Sequence, residues 1–209
     1  MSLIIACDMD GTIADWTKAA CQRAKKIFDI NIKYEDIKNP IFGDIIREKL
    51  IEKGKNVDDI SNKDLYSKLY GENFYLNLEP LPGAIKAITD IYEMGHRIIF
   101  LTKPTKWDKT PEQKSEWLEI WFSHIKYSLI MVSDMKDKHL INVPVIIDDD
   151  PRALKDHPVA IPICIAHPWN EEFRKSGEVG LVEIKHLDEL PEQIKFIDKI
   201  LGEEKSILI

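Results

Sequence analysis

Asp8 and Asp10 follow an apolar run, Leu3–Cys7, and are themselves followed by Gly11 and Thr12. In extended chain, side chains two apart point to the same side, so both carboxylates can address one point. Gly11 lets the chain turn sharply behind them. Carboxylates at the mouth of a buried strand are costly to desolvate, so they either cap a turn or hold a cation. Three further polar clusters are placed in the same way: Thr102-Lys103 after "RIIFL", Lys138 in the loop between "LIMV" and "VPVII", and Asp148-Asp149-Asp150 after "VPVII". Taken singly, these are a turn, a strand-end turn, a surface lysine and a helix cap. Taken together, Asp8, Asp10 and one of Asp148/Asp149 offer the hard oxygens magnesium takes. Lys138 adds a mobile ammonium and Thr102 a hydroxyl, and the whole set suits a phosphate dianion.

The chemistry implied is phosphomonoester cleavage. Asp8 attacks phosphorus and forms an aspartyl-phosphate, which splits hydrolysis into two easier steps. Asp10 protonates the leaving alkoxide and then deprotonates the attacking water, a role that needs a carboxyl pKa lifted by burial and nearby charge. Lys138 stabilises charge on the phosphoryl oxygens.

Such groups must be brought together by a scaffold. Short apolar runs recur at Leu3–Cys7, Arg97–Leu101, Leu129–Val132, Val145–Ile147 and Ala160–Ile165, with helical patterns between several of them. Ile85, Ile88 and Tyr92 share one helical face; Trp117, Ile120 and Trp121 form another, behind a Thr110-Pro111-Glu112-Gln113 capping box; Ile194, Ile197 and Leu201 form a third. Strands alternating with helices predict a parallel sheet covered on both faces. Ligands of such a sheet bind beyond the carboxyl ends of its strands, where all four clusters lie. Residues 16–79 break the alternation with helical patterns alone, including Trp16, Ala20 and Ile27 on one face and Leu65 and Leu69 on another. They read as a helical insertion after the first strand, leaving 1–15 and 80–209 as the core.

The bulk properties narrow the partners. The chain has 209 residues, 44% of them hydrophobic, and a formal net charge of −7. Its basic segments, Lys25–Lys26 and Lys103–Lys109, form no stripe that would grip a nucleic-acid polymer. No apolar run approaches the roughly 18–20 residues that span a bilayer, and no signal-peptide pattern is present. Three cysteines, Cys7, Cys21 and Cys164, far apart in sequence, predict a reduced, cytoplasmic setting.

These motifs resemble those of the haloacid dehalogenase-like superfamily: "DMDGT" its motif I, Thr102 its motif II, Lys138 its motif III and "IIDDD" its motif IV. The segments "DMDGTIADW", "NFYLNLEPLPGA" and "VIIDDDPRAL" are similar to the 5′(3′)-deoxyribonucleotidase family. The resemblance implies a Rossmann-like α/β core with a small helical cap, Mg²⁺, and hydrolysis of deoxynucleoside monophosphates. It assigns Asp8 as nucleophile and Asp10 as acid/base. Asp8, the backbone carbonyl of Asp10, and Asp149 would hold the metal, with Asp148 beside it; Thr102, Lys103 and Lys138 would meet the phosphate. Trp16 falls where relatives stack an aromatic ring on the base, and Phe42 and Tyr75 fall near pocket positions. Two departures stand out: Lys103 replaces a serine common in relatives, and Asp150 replaces an arginine of the animal enzymes. The expected partner is a small phosphomonoester, with no nucleic-acid polymer and no membrane; a homodimer stays open. A phosphatase for another phosphomonoester, such as a sugar phosphate, and a catalytically silent binding domain are the alternatives. Asp15 reads as the cap of the first inserted helix, and Trp169, in "AHPWNEEF", either closes the site or packs.

Overall fold

The computed structural model describes residues 2–207 except Pro40, Asp59, Glu72, 106–108, Asp156, Val159 and 178–179, with the side chains of 204–207 also left aside; the expected basic segment Lys103–Lys109 thus lies partly outside the described residues. Among the described residues, six strands form one sheet: β1 (Ile4–Cys7), β2 (Arg97–Thr102), β3 (Tyr127–Met131), β4 (Val145–Asp148), β5 (Ile161–Ile165) and β6 (Val182–Ile184). Their order is β3-β2-β1-β4-β5-β6, and every pairing is parallel. Ile5, Ala6 and Cys7 of β1 pair with Ile98, Ile99 and Phe100 on one side and with Val145, Ile146 and Ile147 on the other. Alternate residues enter different cores. Ile5, Cys7, Phe100, Ile147 and Ile163 face one, and Ala6, Leu101, Ile146 and Cys164 face the other. Burial on both faces explains why these strands read as continuous apolar runs. The sixth strand is not among the sequence expectations. It has three residues, Val-Glu-Ile, and its Glu183 pairs with Arg174 at 2.6 Å, so neither length nor periodicity announces it.

The helices are α1 (Trp16–Phe28), α2 (Phe42–Glu52), α3 (Asn62–Tyr70), α4 (Ala84–Glu93), α5 (Thr110–Phe122), α6 (Pro151–Leu154), α7 (Glu171–Ser176) and α8 (Leu190–Ile207). Several expected faces shift. In α5, Trp117, Leu118 and Phe122 are buried while Ile120 is 56% exposed; in α1, Thr17, Ala20 and Ala24 are buried and Ile27 sits at the margin. The Thr110 capping box does not form. Lys109 precedes the helix in left-handed backbone, and Gln113 Oε1 instead accepts from the backbone N–H groups of Tyr75 (3.0 Å) and Leu76 (3.4 Å). Asp15 does cap α1, accepting from the Lys18 N–H.

Helices α1, α2 and α3 lie in residues 16–79, where the described residues hold no strand. The chain leaves and rejoins the core at one place: Asp15 N–H donates to Glu79 O and Leu81 N–H to Ile13 O, each at 2.8 Å. Ala20, Phe42, Ile46, Leu65 and Leu69 belong to the same apolar cluster as Ile5 and Phe100, so this segment packs onto the sheet's own core. Among the described residues, no helix is long and apolar enough to cross a membrane.

Candidate active site

The strand order reverses around β1, which lies between β2 and β4. In a parallel sheet this switch point opens a crevice beyond the carboxyl ends. Thr102 ends β2, Asp148 ends β4, and Asp8 follows β1 directly. The motif clusters therefore meet at the ends of neighbouring strands.

Lys138 joins two of them. It lies in a 3-10 turn, Met135–Leu140, and is fully buried. Its Nζ donates to Asp8 Oδ1 at 2.7 Å and to Asp148 Oδ2 at 2.6 Å. The mobile ammonium expected from sequence to meet the phosphate is thus a fixed internal one. Burial alone would lower its pKa, but the Asp148 and Asp8 carboxylates hold it above the ordinary lysine value. Burial raises Asp148 to about 7 even against that partner, with Asp8 adding repulsion; Asp148 Oδ1 also accepts from the Asp150 N–H.

Asp10 has a partner that sequence reasoning missed. Lys114, buried in α5, donates from Nζ to Asp10 Oδ2 at 2.6 Å and to Thr102 Oγ1 at 3.0 Å. The Tyr75 ring lies 5.0 Å from that ammonium, within cation–π range. Among the described residues, Asp10 Oδ1 has no hydrogen-bond partner. Burial raises the Asp10 pKa, opposed by Lys114 and reinforced by Asp8, the direction a proton-carrying carboxyl needs.

Asp149 completes the cluster. Its side-chain oxygens and those of Asp8 and Asp148 include a set lying within 4.8 Å of one another. Burial, then Asp148, Asp8 and Asp150, push its pKa well up. Thr12 Oγ1 donates to its Oδ1 at 3.3 Å and Trp169 Nε1 to its Oδ2 at 2.9 Å. The motif I loop closes tightly on it. A Cβ at Gly11 would lie 2.7 Å from Asp149 Oδ2, and Gly11 has a φ of +78°, so only glycine fits on both counts. Four carboxylates here (Asp8, Asp10, Asp148, Asp149) face two ammonium groups, Lys114 and Lys138. An all-oxygen donor set with that excess of negative charge fits a hard divalent cation.

Above these groups lies a cavity of about 220 Å³ between the core and residues 16–79. Asp8, Asp10, Thr102, Lys103 and Asp149 line its floor side, and Trp16, Phe42, Tyr66, Tyr70 and Tyr75 supply aromatic walls. Trp16 meets Phe42, Tyr70 and Phe74 edge-on, with centroids 5.3, 6.4 and 6.3 Å away, and still contributes to the lining. Lys138 is beneath the floor and does not line the cavity. Residues 2–179 match the family described as 5′ nucleotidase, deoxy (pyrimidine), cytosolic type C.

The chain belongs to that family.

Relatives of the deoxyribonucleotidase family bear this out. The human mitochondrial 5′(3′)-deoxyribonucleotidase is 29% identical over 154 residues, covering 72% of this chain and 63% of the human protein. The mouse mitochondrial enzyme gives 29% over 154 residues, 72% of this chain and 66% of its own. The chain thus aligns with just under two thirds of the length of these relatives. Among solved structures, a haloacid dehalogenase-like hydrolase from Xanthomonas campestris superposes with a TM-score of 0.58 at 16% identity, covering 97% of this chain and 94% of that one. The D,D-heptose 1,7-bisphosphate phosphatase of Burkholderia thailandensis gives 0.55 at 11% identity, with coverage of 92% and 98%. At such identities they share the fold.

Within this 5′-nucleotidase family, the two sequence departures have visible local consequences. Lys103 stands at the cavity beside Thr102. Asp150 caps α6 and binds Arg152 side-on, with Nε at 2.9 and 3.1 Å from its two oxygens and Nη2 at 2.5 Å from Oδ2. Both residues line the cavity, so a guanidinium is present there two positions beyond the arginine expected of the animal enzymes.

Proposed function

We propose that this protein is a Mg²⁺-dependent phosphatase that hydrolyses deoxynucleoside monophosphates to nucleoside and phosphate through an aspartyl-phosphate on Asp8. The observation that carries the reading is the buried Lys138 bridge between Asp8 and Asp148, set under a cavity whose walls are aromatic. Asp8, the Asp10 carbonyl and Asp149, with Asp148 beside them, would hold Mg²⁺. When bound, the ion neutralises charge on the phosphoryl oxygens and aligns the group.

The protein's own residues do the rest. An Asp8 carboxylate oxygen forms a bond to phosphorus as the ester P–O bond breaks. The ester oxygen keeps the electron pair and takes the proton carried by Asp10. Asp10, now a carboxylate, accepts a proton from water as the water oxygen attacks phosphorus, freeing phosphate and restoring Asp8. Lys114 holds Asp10 by one oxygen throughout, which leaves Oδ1 to handle the proton. Thr102 and Lys103 offer a hydroxyl and an ammonium to the phosphoryl oxygens. Lys138, anchored behind Asp8, sets its orientation and offsets charge. Residues 16–79 serve as the cap, and Trp16, Phe42 and Tyr75 as the wall that receives the base. The free thiols Cys7, Cys21 and Cys164 suit a reducing, cytoplasmic setting.

Phosphate release from a panel of 5′- and 3′-deoxynucleotides, ribonucleotides and sugar phosphates tests the substrate class. Deoxynucleotides should turn over with Mg²⁺ and not with EDTA; vigorous turnover of sugar phosphates alone would overturn the nucleotide reading. Trp16→Ala should raise KM for nucleotides roughly tenfold, the value of one base stacked on an aromatic ring. The same variant should leave KM for deoxyribose 5-phosphate nearly unchanged. Equal changes for both would make Trp16 a packing residue only.

A further inference from the structure

Trp169 lies in the segment after β5, facing the inserted residues across the edge of the site. We propose that Tyr34, His167 and Trp169 form a positioning relay, through which the inserted segment fixes the Gly11 carbonyl and the Asp149 carboxylate beside the cation site. The inference rests on Asp149 being a cation ligand, as proposed above.

The hydrogen-bond partners assign each proton. His167 Nε2 lies 2.5 Å from Gly11 O, and a carbonyl can only accept, so Nε2 carries the hydrogen. In the neutral ring Nδ1 is then the acceptor, and the Tyr34 hydroxyl, 2.5 Å away, donates to it. Burial lowers the His167 pKa to about 4, in keeping with a neutral ring. That ring stacks on Trp169 with centroids 4.1 Å apart and planes 8° from parallel. Trp169 Nε1 in turn donates to Asp149 Oδ2.

The next residue secures the other end of the same aspartate. Asn170 Nδ2 donates to the Asp149 backbone carbonyl at 2.8 Å and to Ile165 O at 2.8 Å, while its Oδ1 accepts from Arg174 Nε. Asp149 is therefore held both at its carboxylate and at its backbone from the β5 segment. Tyr34, in the 3-10 turn Tyr34–Asp36, reaches this assembly from the insert, with its ring 6.0 Å from those of both His167 and Trp169. Lys38 and Glu171 make a second tie between the same segments at 3.8 Å. Donors placed behind a metal-binding carboxylate orient it and commonly change metal affinity by about 10–100-fold when removed.

The test is titration of the 209-residue protein with Mn²⁺ in the absence of substrate, following free Mn²⁺ by electron paramagnetic resonance. Trp169→Phe keeps a ring to stack and removes the N–H; its Mn²⁺ Kd should rise about tenfold. Tyr34→Phe should shift the Kd in the same direction by less, and, because Tyr34 is 42% exposed, it carries the test if Trp169→Phe does not fold. Wild-type Kd values in both variants would overturn the relay while leaving the phosphatase reading intact. Weakening in Trp169→Phe alone would overturn the link to the insert. Absence of Mn²⁺ binding by the wild-type protein would overturn the cation site, and the relay with it.

Discussion

Asp8→Asn should abolish phosphate release from nucleoside monophosphates and leave the protein folded. Asparagine fills the same space, so the strand end and the Gly11 turn keep their shape. What should disappear is the proposed nucleophile, because a carboxamide does not form the acyl-phosphate bond. Lys138 keeps its second partner, Asp148, at 2.6 Å, so its ammonium is not left bare. The change also removes one of four crowded carboxylates, which relieves repulsion in the metal-free protein. Loss of a nucleophile commonly costs on the order of 10⁴-fold or more in kcat. Steady-state phosphate release with saturating Mg²⁺, beside a thermal melt, reads both quantities. Wild-type turnover in the folded variant would remove Asp8 from the chemistry.

Lys138→Met should lower stability and turnover together. The ammonium is fully buried and touches two carboxylates that are themselves buried. Removing one partner of a buried charge cluster costs about 3–5 kcal/mol, because the remaining charges are left uncompensated. For a chain of this size that corresponds to a melting-temperature loss on the order of 10 °C. Methionine keeps most of the volume, so the loss is electrostatic rather than a cavity effect. The Asp8 carboxylate then has no fixed donor at Oδ1 to hold its orientation, so turnover falls as well. Thermal melts in EDTA and in Mg²⁺ separate the contributions, since a bound cation replaces part of the missing charge. A variant as stable and as active as wild type would show that Lys138 is a bystander.

The parallel sheet and the convergence of its strand ends were legible in the residues. Leu3–Cys7, Ile98–Leu101 and Val145–Ile147 are largely covered on both faces, and that burial writes itself as unbroken apolar runs. Asp8, Thr102 and Asp148 could be placed because each ends such a run. Lys114 could not. It lies one helical turn beyond Thr110 among polar neighbours, and only the packing of α5 turns it inward to Asp10 and Thr102. The signal that could have found it is spacing. Lys114 stands three and four residues before Trp117 and Leu118, so it shares a helical face with two buried side chains. Lys138 was legible as a residue but not as a buried one, since nothing in "MKDKH" distinguishes it from its neighbour Lys136. His167 and Tyr34 meet across 133 positions, a contact with no local periodic signature. Gln113 illustrates the same limit: its spacing matches a capping box, yet tertiary packing turns its side chain to the Tyr75 and Leu76 backbone.

The central claim is that Asp8 carries the phosphoryl group between substrate and water. Its most direct test mixes excess protein with a deoxynucleoside monophosphate labelled in the phosphate and Mg²⁺, quenches in acid over a time series, and maps label after proteolysis. The predicted result is transient label on the peptide that contains Asp8, decaying as free phosphate appears, and no label in Asp8→Asn. Phosphate released at the full rate from a protein unlabelled at every time, with Asp8→Asn as fast as wild type, would contradict the account.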